Sequence, residues 1–143
     1  RSTLFPYTTL FRSWLTFPTA NLNVEGPRTL PADGVYAAAV IARGQWRCGA
    51  FSMGRNPTFD DVRERRAEVF LLDFEGDLYG AELIVFFLER IRPTLRFSDA
   101  ESLAQQIAAD VARCRAVYEE RMSADPERFG SFLRCFRCFR FHG

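Results

Sequence analysis

The chain has 143 residues, 48% hydrophobic and 26% charged, which suits one domain with a buried core and excludes disordered and collagen-like classes. A net charge of +1 provides no global attraction to nucleic acid or to an anionic membrane. All 19 basic residues are Arg, so chemistry that needs a P-loop, Schiff-base or general-base lysine is impossible.

The longest apolar run, Val35 to Ala42, is far shorter than the roughly 20 residues of a membrane-spanning helix. Cys48, Cys114, Cys135 and Cys138 lack the dense spacing of a secreted disulfide scaffold. A soluble, cytoplasmic protein is expected, working on small molecules without nucleic acid or membrane partners, and monomeric.

Arg1 to Ser13 resembles translated sequencing-adapter sequence, so residues 1–16 are set aside as non-native. In Phe17-Pro-Thr-Ala-Asn21 the proline makes Phe17 extended, and period two puts Thr19 and Asn21 on one side. A loop rich in Gly and Pro then runs from Val24 to Gly34. Val35–Ala42 and Gln45–Met53 read as strands joined by a two-residue turn at Arg43-Gly44. A second loop covers Gly54 to Asp61, and Val62 to Arg66 is charged enough to face solvent.

The next strand is the pivotal one, Glu68 to Gly80 with its turn. Alternation puts Glu68, Phe70, Leu72 and Phe74 on one face. Glu82–Arg90 is expected to return beside Ala67–Phe74 as an antiparallel hairpin around Glu75 to Ala81. Ser98-Asp-Ala-Glu101 has capping-box spacing and opens a helix of about 99–121. Leu103, Ile107, Val111, Cys114 and Tyr118 form its apolar stripe, and Gln105, Asp110, Arg113 and Glu120 its outer side. Residues 123–143, where Phe alternates with Arg and Cys, are read as a disordered or non-native tail. Strands followed by a single helix argue for a small antiparallel barrel with a helix packed on it.

Three groups could carry chemistry, each with a plainer reading beside it. Thr19 and Asn21 are hard oxygen donors suited to Mg²⁺ and phosphate, or ordinary turn and cap residues. Glu68, a carboxylate heading an apolar row, is a general base raised by burial, or a strand-end glutamate in water. Cys135, Cys138 and His142 suggest a metal knuckle, but one CxxC without a second is a poor zinc site and incidental cysteines fit better. The 15 Phe could stack bases, although most fall where a core needs filling.

These pieces resemble, in order, the riboflavin kinases (flavokinases), commonly the C-terminal module of bacterial bifunctional riboflavin kinase/FAD synthetases. The resemblance runs from about Phe17 to Arg115, through Phe17-Pro-Thr-Ala-Asn21, Leu30-Pro-x-x-Gly-Val-Tyr-Ala37, Gly54-x-Asn-Pro-Thr-Phe59, Glu68 to Gly80, and Leu103-x-x-Gln106-Ile-x-x-Asp110. It implies a kinase domain over 17–122, folded as a six-stranded antiparallel Greek-key barrel with a C-terminal helix. It also implies ATP- and Mg²⁺-dependent phosphorylation of the riboflavin 5′-hydroxyl to FMN. By position, Glu68 resembles the catalytic base, Thr19 and Asn21 the metal and phosphate ligands, and Phe17 and Pro18 part of the nucleotide site.

The family's Gly-Arg-x-x-Gly before Phe-Pro-Thr-Ala-Asn is replaced, with Arg12, Ser13 and Thr16 in those places. Phe70 stands where many relatives have His, and Thr94 where Glu is common. The first barrel strand is expected to be missing upstream, together with an FMN adenylyltransferase module to which such domains are natively fused. The alternative reading is a non-catalytic flavin- or nucleotide-binding barrel inactivated by truncation.

Overall fold

The computed structural model describes residues 19–22, 31–55, 65–74, 76, 78, 80–95, 97–124 and 139–142, with only the backbone for 19–22, 55, 65–66 and 139–142. The adapter-like segment, the Gly54 to Asp61 loop beyond Arg55, Val62 to Glu64 and the CxxC lie outside these residues. Six strands, β1 (Thr19–Leu22), β2 (Gly34–Ala42), β3 (Gln45–Arg55), β4 (Arg65–Leu71), β5 (Glu82–Arg92) and β6 (Phe139–His142), form one sheet in the order β1-β4-β3-β2-β5-β6. Every pairing is antiparallel, and one helix, α1 (Ala100–Ala124), follows β5. The fold is thus mainly β, an antiparallel sheet with a helix behind it. Among the described residues β1 and β6 stand at the two ends of the strand order.

The β2–β3 turn is as expected: Arg43 and Gly44 have φ of 48° and 77°, the two positive values of a type I′ hairpin. The sheet is strongly curved. Rings of Phe51 on β3 and Phe87 on β5, with β2 between them, meet at 4.7 Å, edge to face, whereas two flat interstrand spacings cover about 9.6 Å. Inside the curve lie Val40, Phe51, Met53, Val69, Leu71, Leu83 and Val85, all buried. Outside it, Ala37, Cys48, Ala50, Phe70 and Leu72 meet Leu103, Ile107, Cys114 and Val117 of α1.

The expected β4–β5 hairpin does not form. β4 already has β3 on one edge and β1 on the other, and β5 pairs instead with β2 and β6. The connection 72–81 is a crossover carrying its own apolar load, since Phe74 and Leu78 bury in the inner core. Nor does Phe74 share a face with Phe70 and Leu72. Asp73 is left-handed at φ 54°, a conformation Asp tolerates better than most residues, and it breaks the alternation. The tail segment Phe139–His142 supplies β6 beside β5.

Asp99, rather than Ser98, caps α1. Its carboxylate accepts the Ser102 N–H at 2.7 Å and the Ser102 hydroxyl at 2.9 Å, satisfying an orphan donor of the first turn. These bonds, above all the backbone one, hold its carboxyl below the usual range. Asp110, assigned by pattern to the outer side, is 1% exposed.

Candidate active site

Register determines what the helix-facing side of the sheet gathers. Glu68 on β4 is the direct Cα partner of Asn21 on β1 and of Ser52 on β3; Ser52 pairs with Val35 on β2, and Val35 with Arg92 on β5. One lateral row, Asn21–Glu68–Ser52–Val35–Arg92, therefore crosses five strands. Directly opposed residues of an antiparallel pair belong to the same face. That face is the helix side, because Phe70 and Leu72 alternate with Glu68 and belong to the core shared with α1.

Glu68 is half-buried, as is Ser52, while Phe70 beyond it is 2% exposed. The carboxylate is thus partly open to solvent at the edge of the apolar sheet face. Thr19 is the partner of Phe70, one alternation along from Asn21. Two of the three residues chosen from sequence, Asn21 and Glu68, are adjacent across one ladder step, and Thr19 follows on the same strand. Phe17 and Pro18 lie outside the described residues, as do Cys135 and Cys138, and His142 is located by its backbone alone.

Sequence reading missed the far end of the row. The β2–β5 ladder shifts register between Val35 and Tyr36, so Ile91 is skipped and Val35 faces Arg92. Such a bulge re-aims side chains. Gly34 makes room for it: at φ 153°, a Cβ there would lie 2.7 Å from the Arg92 carbonyl oxygen and 3.0 Å from Arg90 Nε. Arg92 then reaches α1, its Nε donating to Asp110 Oδ1 at 2.9 Å and its Nη2 to Oδ2 at 2.7 Å. Gln106 Nε2 donates to Asp110 Oδ1 at 3.0 Å. A forked guanidinium with a carboxylate is among the strongest pairings a buried acid can have. The available sequence signal was the Gln106–Asp110 spacing of one helical turn beside the buried stripe.

Among the described residues no group of three or more His, Cys, Asp or Glu could hold a metal ion. A cation at this row would rest on the residue types it does contain, a hydroxyl, an amide and one carboxylate. Those are hard oxygen donors, and the set fits Mg²⁺, which keeps waters and substrate phosphates in its shell. The buried thiols do not contribute: burial pushes Cys48 and Cys114 up to about 12, leaving them protonated and inert.

Comparison with known proteins identifies the family of this chain. The family described as flavokinase, riboflavin kinase, matches residues 12–118, which span the whole row. A bifunctional riboflavin kinase/FMN adenylyltransferase of Listeria monocytogenes is 36% identical over 102 residues, 71% of this chain and 32% of the relative. One of Pseudomonas fluorescens is 41% identical over 100 residues, 70% of this chain and 32% of the relative. The chain thus spans about a third of the length of these curated relatives. A crystal structure described as a macrolide-efflux protein from Streptococcus pneumoniae superposes with a TM-score of 0.65 at 38% identity, covering 73% of this chain and 34% of that one. That description differs from those of the sequence relatives, and what the two structures share is the fold. No helix among the described residues is long and apolar enough to cross a membrane.

Proposed function

The chain belongs to the riboflavin kinase family, a family of phosphotransferases, and from that premise we propose that it catalyses the ATP- and Mg²⁺-dependent phosphorylation of riboflavin at the 5′-hydroxyl. The observation that carries the reading is the Asn21–Glu68 register pair, which makes the glutamate the direct backbone partner of Asn21 across β1 and β4. Thr19 and Asn21 hold the metal and the phosphate oxygens, and Phe17 and Pro18 flank the nucleotide. Mg²⁺, when bound, neutralises charge on the β- and γ-phosphates. Glu68 orients the 5′-hydroxyl and accepts its proton as the oxygen bonds to the γ-phosphorus and the bond to the ADP leaving oxygen breaks. Positioning and charge compensation dominate phosphoryl transfer, so the absence of lysine is no obstacle.

Several finer points belong to the same proposal. The curved sheet is read as the greater part of a six-stranded Greek-key barrel. FMN adenylyltransferase activity, part of the names of the longer relatives, is not proposed for the length spanned here.

The test is conversion of riboflavin to FMN with Mg-ATP. Glu68→Gln is expected to lower kcat by on the order of 10²–10⁴, the usual contribution of a positioned base. Full activity in that variant would sink the role given to Glu68. A second reading is favoured by Arg12, Ser13 and Thr16 standing in the family's Gly-Arg-x-x-Gly places, where a Cβ hinders close approach of backbone to phosphate. It predicts quenching of riboflavin fluorescence without FMN formation.

A further inference from the structure

The polar part of the lateral row is short. Val35, the partner of Ser52 on β2, is 3% exposed, so the row closes there, and what a ligand can reach is confined to β1, β4 and β3. On β4 and β3 the residues in question are Glu68 and Ser52, both half-buried. Glu68 has a part in the proposed chemistry and Ser52 has none. The alternation that buries Cys48 and Ala50 under α1 brings a hydroxyl to the same face at Ser52.

Two further observations leave that hydroxyl open to a ligand. It makes no hydrogen bond to another described residue, and it is not a stranded buried atom of the kind that Arg47 Nε is, so it is accessible to solvent. The next residue along the same face is Gly54, which carries no side chain. Among the described residues a Cβ there would meet the Thr94 hydroxyl alone, at 3.8 Å. A half-buried hydroxyl thus borders a stretch of bare backbone, which a ligand can approach closely.

We infer that Ser52 is a specificity-determining residue that binds the acceptor, its hydroxyl hydrogen-bonding the alcohol group next to the one that reacts, the 4′-hydroxyl of riboflavin. This rests on the kinase reading of Glu68 and Asn21. In an in-line displacement the attacking and leaving oxygens lie on opposite sides of the phosphorus. With the phosphoryl donor held at β1, the acceptor reaches Glu68 from the β3 side, and Ser52 is the partner of Glu68 on that side. Directly opposed strand residues have Cβ atoms about 4.5–5.5 Å apart, so the carboxylate and the hydroxyl can take adjacent hydroxyls of one polyol. A serine oxygen both donates and accepts, as an alcohol does. Glu68 alone cannot tell one terminal alcohol from another; the second contact selects an acceptor with a neighbouring hydroxyl. Because Ser52 is half-buried, water can replace a missing partner, and the discrimination is that of one neutral hydrogen bond.

The test pairs a variant of the full chain with a variant of the acceptor. Ser52→Ala removes one oxygen and no packing volume beyond it, and 4′-deoxyriboflavin lacks the hydroxyl that Ser52 would hold. With Mg-ATP, Ser52→Ala is expected to lower kcat/KM for riboflavin roughly three- to tenfold, the range of one hydrogen bond. It should leave the KM for ATP unchanged and leave kcat/KM for 4′-deoxyriboflavin as it is in the unaltered chain. Equal loss on both acceptors, no loss on riboflavin, or a raised KM for ATP would overturn the assignment, since each places the effect of Ser52 elsewhere than on that hydroxyl. FMN formation by the unaltered chain tests the kinase reading separately. If none forms, that reading fails, and the same comparison is made on Kd from quenching of flavin fluorescence. Weaker binding of riboflavin alone in Ser52→Ala would then support the contact, and equal weakening for both flavins, or none for either, would overturn it.

Discussion

Two arginine–aspartate pairs tie α1 to the sheet, one at each end, and they are not equivalent. Arg92–Asp110, next to the 93–97 connection, has side chains 11% and 1% exposed. Arg115–Asp73, at the far end beside the β4 turn, has side chains 39% and 65% exposed. Charge and residue types are alike, though the acid is on α1 in the first pair and in the turn after β4 in the second, and the two differ sharply in solvent exposure. A buried acid must have its full set of partners, and Asp110 has them. An exposed pair gains little over water. The pair that costs most to satisfy is the one next to the 93–97 connection.

The largest effect should come from Asp110→Ala, which strands the Arg92 charge against an apolar helix face. Breaking a buried pair typically costs about 3–5 kcal/mol, read as a lower urea midpoint. Replacing both partners together, Arg92→Met with Asp110→Leu, should recover most of that loss, since apolar substitutes for a whole buried pair are often neutral or better. A double variant as unstable as Asp110→Ala would contradict this account of the pair.

Next in size is Gly34→Ala. The Cβ cannot fit beside the Arg92 carbonyl, and shifting backbone to admit it should cost about 1–3 kcal/mol, visible in thermal melts.

Arg115→Ala should change stability by no more than about 1 kcal/mol near neutral pH, with a distinctive acid limb. The hydrogen bond from Arg115 holds the Asp73 carboxyl below its ordinary 3.8. A folded-state value depressed below the unfolded one adds stability that is complete above the unfolded value and is lost as pH falls through the folded one. Any difference between Arg115→Ala and the unaltered chain should therefore shrink as pH drops below about 4, and a gap that widened there would contradict the assignment. The smallest effect concerns the thiols. With values pushed up to about 12 by burial, Cys48 and Cys114 should resist alkylation in the folded chain and react once it is unfolded, as peptide mapping would reveal.

Legibility in the sequence followed the range of the interactions. The β2–β3 hairpin was readable because Arg43-Gly44 satisfies a local dihedral demand, and the helix because its apolar residues repeat within one element. Thr19, Asn21 and Glu68 could be singled out by residue type and alternation. Pattern failed where a single backbone conformation or a distant partner intervened. The left-handed Asp73 sent Phe74 to the other core. The crossover at 72–81 gave β5 to β2 instead of β4. Capping fell to Asp99 because its carboxylate, not the Ser98 hydroxyl, reaches the Ser102 amide.

By itself the sequence determined that this is a lysine-free, mainly β domain with one C-terminal helix and a motif order matching one kinase family. Those properties reside in composition, periodicity and local turn chemistry, which act over a few residues. Only the tertiary structure decided that Asn21, Glu68, Ser52, Val35 and Arg92 form one row. It alone turned Asp110 from an outward helix charge into the buried partner of Arg92. Register and burial depend on which strands meet, and the ladder bonds that fix this join residues far apart in the chain, where no local pattern specifies the partner.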